Sequence, residues 1–286
     1  MTADIYKGID SGLVFRNPGG THIRFFHRLT AGSRALPSVL LIGAQKAGTT
    51  SLFSHLIKHP QICAPVSKEI FFFNDQNNYQ KGLNWYRAHF PLKSTLEDSK
   101  ITLDGSANYF ESKDAPARIK KDLPGAKLIL LLRNPVDRAY SHYKMAVELG
   151  FEKLSFQDAL AAENDRLKTS REHDVALYGH DYVFQKLGYR SKGVYIDFLT
   201  HWLKHFPLNS IKIIDSRTLH THTEEVYGQV LDYIGLSPFT PGHFEVLKKS
   251  TAEKMPDSVR RELHDFYEPH NEALFKLIGK SFLWQE

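Results

Sequence analysis

Cysteine is almost absent from this chain: Cys63 stands alone among 286 residues, so no disulfide can form within it. That excludes a disulfide-stapled secreted scaffold and fits a reducing compartment. Cys63 follows Ile62 in an apolar context and reads as core filler rather than as a nucleophile. Long apolar runs are also missing. No stretch reaches the roughly 18 residues that a membrane-spanning helix needs, and the opening "MTADIYKGID" lacks the basic-then-apolar layout of a signal peptide. A soluble, cytoplasmic protein with no membrane partner is expected. The 15 histidines are scattered, and none falls into a metal-ligand spacing. No internal repeat, low-complexity tract or long Pro/Gly-rich linker interrupts the chain, so one domain over residues 1–286 is the simplest organisation. The surplus of +5 suits an anionic ligand, but the basic residues form no stripe or recognised motif, which argues against a nucleic-acid binder.

What is present is an alternation of strand and helix signals. Residues 1–36 read as an irregular leader, with a turn at "RNPGG", 16–20, ahead of a core over 38–284. The first strand is expected at 38–43 and a helix at 49–58, closed by His59-Pro60. "ITLDGS", 101–106, reads as a second strand, and "DAPARIKKDL" as a helix broken by Pro124-Gly125. "AKLILLLR", 126–133, is a continuous apolar run suited to a strand buried on both faces. Asn134-Pro135 then opens the helix "VDRAYSHYKMAVEL". Helices at 155–167 and 193–205, a strand at 210–215, and helices at 223–234 and 256–278 complete the pattern. Strands alternating with helices imply an α/β fold with a parallel, doubly wound sheet, whose ligands bind beyond the carboxyl ends of the strands.

Both strand ends of interest carry chemistry. In "LLIGAQKAGTTS", Gly43 ends the first strand and Gly48 follows five residues later. Glycines here allow a tight turn and close approach by a phosphate oxygen, and backbone N–H groups with a helix N-terminus make an anion site. Thr49, Thr50 and Ser51 can cap the helix or donate hydroxyls, while Lys46 adds a charge from inside the loop. A nucleoside triphosphatase or kinase needs its lysine at position 49, where this chain has threonine. By itself the segment can also be read as a glycine turn capped by threonine.

In "VSKEIFFFN", 66–74, four apolar residues follow the pair Lys68-Glu69. They could desolvate one side of the acid, raising its pKa and making it a better base. The bland alternative is a strand edge with its charges in water. In "LLLRNPVDRAYSHY", 130–143, Arg133 ends the buried strand and Ser141 lies two turns into the next helix; a guanidinium fork and a hydroxyl could hold a terminal phosphate.

Together these stretches resemble the sulfotransferases that use 3′-phosphoadenosine 5′-phosphosulfate (PAPS), in particular the heparan sulfate branch. "IGAQKAGTTSLFSHLIKHPQI" is similar to that family's 5′-phosphosulfate loop, and "KEIFFFN" with "YQKGLNWYRAHFP" to the acid-bearing segment of glycan N-sulfotransferases. "GSANYF", "RNPVDRAYSHY", "YIDFLTHWLKHFP" and "FYEPHNEALFKLIGKSFLW" extend the resemblance over residues 38–284. It implies a P-loop-NTPase-like three-layer fold, a central parallel sheet flanked by helices, with PAPS as donor, 3′,5′-bisphosphoadenosine as product and no required metal. By resemblance Glu69 is the base, Lys46 stabilises the leaving group and Lys68 lies near the sulfuryl oxygens. Gln45, Lys46, Ala47, Gly48, Thr49, Thr50 and Ser51 would hold the 5′-phosphate, and Arg133 with Ser141 the 3′-phosphate.

The Golgi enzymes of this branch carry a disulfide beside a Lys-Gly-Arg segment. Here the region reads "LKKSTAEKMP", 247–256, where Lys248, Lys249 and Lys254 are candidates for equivalent charge. The missing anchor and disulfide imply a soluble bacterial enzyme. Trp85, Tyr109, His142 and His180 are candidates for contact with the acceptor, and 168–192 for a loop covering it. A small-molecule metabolite (an alkaloid, lipid or carrier-bound polyketide from secondary metabolism) is the expected acceptor, and a glycan the alternative. A P-loop kinase and a non-catalytic nucleotide or polyanion binder are the rivals from other classes. The sequence leaves the oligomeric state open.

Overall fold

Four short runs of β-branched and leucine residues make the sheet of this protein. The computed structural model describes residues 25–96, 99–178, 180–244 and 254–284. The turn expected at 16–20, Lys248 and Lys249 lie outside the described residues. The strands are β1 (Val39–Gly43), β2 (Leu103–Asp104), β3 (Lys127–Leu132) and β4 (Ile211–Asp215), paired in the order β2-β1-β3-β4 and all parallel. The helices are α1 (Phe25–Leu29), α2 (Thr49–Leu56), α3 (Gln76–Tyr79), α4 (Gly82–Arg87), α5 (Ala115–Asp122) and α6 (Pro135–Glu148). They continue with α7 (Phe156–Tyr178), α8 (Tyr182–Leu187), α9 (Tyr195–Trp202), α10 (Ser216–Thr221), α11 (Thr223–Ile234) and α12 (Asp257–Ile278).

β3 is the core strand: Leu128 to Leu132 have no solvent exposure. Burial on both faces needs helices on both sides, and truncating one such leucine to alanine costs about 2–5 kcal/mol. α2 packs on β1 and on α11, whereas α12 crosses α6 and α9. Among the described residues no helix is long and apolar enough to cross a membrane.

Three expectations change. The second strand shrinks from 101–106 to Leu103–Asp104, because Ile101 bridges to Ile62 and pairing with β1 ends at Asp104. The helix expected at 155–167 runs on to Tyr178, since no proline or glycine interrupts it before Gly179. The helix expected at 193–205 is confined to Tyr195–Trp202, because Ser191–Gly193 makes a separate 3-10 turn ahead of it.

Candidate active site

The loop after β1 is shaped by where its backbone departs from the strand. Pairing with β3 slips between Leu41 and Gly43, and Ala44 N–H donates to Leu131 O at 2.7 Å. Ala47 N–H closes the turn on Ala44 O at 3.1 Å. Gly48 is the N-cap of α2 in the left-handed conformation (φ 94°), which an L side chain reaches only with strain. No side chain caps α2, so its first-turn N–H groups and dipole are left for an anion. Thr49 and Ser51 are buried beneath them and Thr50 is exposed. Lys46 also has positive φ, 71°, a rare state for a residue with a Cβ and one that clusters at functional sites. Its carbonyl accepts Arg133 Nη1 at 3.3 Å, and its Nζ donates to Met145 Sδ at 3.6 Å. Ser141 lies one turn before Met145 on the same face of α6. The fold thus brings residues 45–51 and Arg133 to one place, with Ser141 one helical turn from the Lys46–Met145 contact.

Glu69 stands nearby, again in a left-handed backbone (φ 63°). Its Oε1 accepts from Lys68 Nζ and its Oε2 from Ala107 N–H at 3.0 Å. Lys68 is buried, with its ammonium 6.0 Å from the Phe53 ring. The aromatic residues that follow do not wrap the acid as expected. Phe72 stacks on Tyr86 at 4.5 Å and Phe73 meets Tyr109 edge-on at 5.6 Å, both inside the core.

A buried network holds this segment from behind. Ser106 Oγ accepts the N–H groups of Ile70 (3.0 Å) and Phe71 (3.2 Å) and donates to Asp104 Oδ1 at 2.7 Å. Tyr109 hydroxyl accepts from Phe72 N–H at 3.2 Å and donates to Asp104 Oδ2 at 2.7 Å; Tyr86 donates to the same oxygen at 2.9 Å. Burial raises Asp104 to about 6, with the Glu69 charge adding to the rise and the three hydroxyl bonds opposing it.

Beneath the loop lies a polar cluster in which Lys192, Arg138 and His142 have no exposure. Lys192 Nζ donates to Gln45 Oε1 at 2.8 Å and sits 3.8 Å from Glu111 Oε1. Burial lowers Lys192 to about 8; Arg138 and Lys186 push the same way, while Glu111 and Glu69 oppose it. His142 is fully buried, with its ring edge-on to Tyr189. Burial, then the charges of Lys192, Arg138 and Lys46, hold its pKa well below the usual histidine value, so it is neutral. Arg138 donates to Tyr189 O from Nη2.

The remaining candidates fall elsewhere. Tyr109 is expected to line a cleft; it is instead fully buried, its hydroxyl bonded to Asp104 and its ring against Phe73. Trp85 stacks over Phe72 at 6.1 Å and carries Lys81 above its ring at 4.6 Å. His180 pairs with Asp75 at 2.9 Å, beside the start of α3. Lys254 is exposed just before α12, next to Met255, which packs with Val136 of α6. The side chain of His173 lies outside the described residues. Among the described residues no cluster of His, Cys, Asp and Glu is suited to a metal ion.

The family model described as "Sulfotransferase domain" matches residues 36–272. The chain belongs to the sulfotransferase family. It is 33% identical over 278 residues to the bifunctional heparan sulfate N-deacetylase/N-sulfotransferase 1 of Caenorhabditis elegans, covering 87% of this chain and 30% of that one. It is 30% identical over 285 residues to human heparan sulfate glucosamine 3-O-sulfotransferase 3A1, covering 90% and 64%. The chain therefore spans about a third and under two thirds of these relatives. A crystal structure of a sulfotransferase from Alicyclobacillus acidocaldarius superposes with a TM-score of 0.71 at 26% identity, covering 88% of this chain and all of that one. The central parallel sheet flanked by helices is thus the P-loop-like sulfotransferase fold.

Several residues around this candidate site escape a reading of motifs. Asp104 and Lys192 reach it across the fold. Ser216 and His220 of α10 lie 3.6 and 3.5 Å from where a Cβ on Gly48 would stand, and burial, together with the Arg133 charge, lowers His220. Their segment, "DSRTLH", had no signal beyond following a strand.

Proposed function

We propose that this chain moves the sulfuryl group of PAPS to a hydroxyl or amine of an acceptor. The observation that carries the reading is the uncapped start of α2 behind a left-handed Gly48, with Lys46 held in the same loop. A phosphate fits there: backbone donors and a helix dipole supply the site, and Arg133 reaches the loop from β3.

The proposed roles follow the placements. Residues 45–51 hold the 5′-phosphate, and Arg133 with Ser141 the 3′-phosphate. In an in-line transfer the acceptor oxygen or nitrogen bonds to sulfur as the sulfur–oxygen bond to the 5′-phosphate breaks, and that oxygen keeps the electron pair. Lys46 offsets the charge growing on it. Glu69 takes the acceptor's proton, aimed by its bonds to Lys68 and Ala107. Lys68 sits beside the sulfuryl oxygens. Most of the acceleration is then positioning and electrostatics.

For the acceptor, a small-molecule metabolite is the first reading. A glycan is favoured by one specific observation: relatives at 30–34% identity are named for heparan sulfate. The test uses sulfur-labelled PAPS with a panel holding N-deacetylated heparan chains on one side and a small-molecule extract on the other. Products heavier by one sulfuryl group are read by mass spectrometry. Bisphosphoadenosine binding without transfer to any acceptor would leave only a nucleotide binder. Absence of binding would overturn the donor as well.

A further inference from the structure

Gln45 is half-buried in the loop, and its amide has one hydrogen-bond partner among the described residues, Lys192 at 2.8 Å. An ammonium group carries donors and no acceptor, so the atom it meets must be the amide oxygen. The Gln45 NH₂ group is thereby turned away from Lys192, with both of its donors unspent. Lys192 is itself placed rigidly. Glu163, 1% exposed, accepts the N–H groups of Arg190 and Ser191 at 2.7 and 2.8 Å and the hydroxyl of Ser191. The ammonium faces Glu111 from one side and lies 5.9 Å from the Phe184 ring. This lysine belongs to the stretch 168–192, which no motif assigns.

We propose that Lys192 is a positioning residue: by fixing the Gln45 amide oxygen it makes the loop present an NH₂ group, rather than a carbonyl, to its anionic ligand. Without the lysine the amide is free to turn over, and its oxygen would then oppose a phosphate. The inference rests on the reading of residues 43–51 as the donor's phosphate site.

Calorimetric titration with 3′,5′-bisphosphoadenosine tests it on the full chain. Lys192→Met should weaken binding roughly tenfold, the scale of one hydrogen bond to a charged group. In a Gln45→Ala background, Lys192→Met should cost nothing further, because the lysine acts through the amide. A lysine that merely supports the fold would cost as much in both backgrounds, and that result overturns the proposal. Gln45→Glu still accepts from Lys192 but shows the ligand an oxygen, so it should bind more weakly than Gln45→Ala; wild-type affinity in this variant also overturns it. That arm decides the matter if Lys192→Met melts early. A wild-type chain that fails to bind the nucleotide removes the phosphate-site reading itself, whereas equal binding by wild type and Lys192→Met removes only the role of Lys192.

Discussion

Asp104→Asn separates the stability of the Glu69 segment from its function, because two effects of similar size oppose each other. The native carboxyl titrates at about 6 against 3.8 when unfolded, a difference worth about 3 kcal/mol. The folded state therefore binds more protons between those values, and the stability this group contributes is full below 3.8 and lost as pH rises through 6. An asparagine carries no charge and has no such loss. It has its own cost, however. Three hydroxyls, from Ser106, Tyr109 and Tyr86, donate to the two carboxylate oxygens, and an amide offers one oxygen. At least one buried donor is orphaned, at about 1–3 kcal/mol. At pH 4 the variant should be less stable than wild type by about that amount. By pH 7 the gap should close, because wild type has lost its advantage. Urea unfolding of both proteins from pH 4 to 7 measures it. Activity should not recover in parallel: with the Ile70 and Phe71 amides loosened, Glu69 is misplaced and turnover at pH 7.5 falls roughly 10²-fold. A stability difference that stays flat across this range, or a variant that turns over normally, refutes the reasoning.

Glu69→Gln should lower turnover by roughly 10²–10⁴ while bisphosphoadenosine affinity holds within roughly threefold; near-normal turnover in a donor-binding protein removes the base. Arg133→Ala should weaken bisphosphoadenosine roughly tenfold or more in calorimetry, through loss of a charge-assisted contact, and unchanged affinity would reassign the 3′-phosphate. Gly105→Ala would place a Cβ 2.6 Å from Phe53 Cδ2 and 3.3 Å from Lys68 Cγ. Overpacking there should cost about 1–3 kcal/mol and displace Lys68 from Glu69. A melting temperature and rate equal to wild type would show that the neighbours yield freely.

Local signals were legible, and long-range ones were not. The β3 run and the loop at 43–51 are each contiguous in sequence, so their pattern carried the parallel sheet and the turn into α2. The Gln45–Lys192 contact joins residues 147 positions apart, and no spacing rule encodes it. Arg133 is within reach of the loop because it directly follows β3, the strand beside β1. α7 could be started but not ended, since no proline or glycine follows its start before position 179.

The segment 66–74 departs from its sequence pattern for a more instructive reason. Its apolar run suggests aromatic side chains desolvating one side of Glu69. Glu69 and Phe71 instead adopt positive φ, 63° and 54°. Each such residue rotates the chain, so the carboxylate meets Lys68 and the Ala107 N–H while Phe72 and Phe73 turn into the core. A non-glycine residue in that region costs about 1–2 kcal/mol, and two such costs one residue apart need an external anchor. Residues 104–109 provide it, through the amides of Ile70, Phe71 and Phe72. The direction in which Glu69 points is therefore written in "DGSANY" rather than in its own neighbours. For the same reason, a change at Asp104 or Ser106 should disturb the site more than a change at the half-buried Phe71.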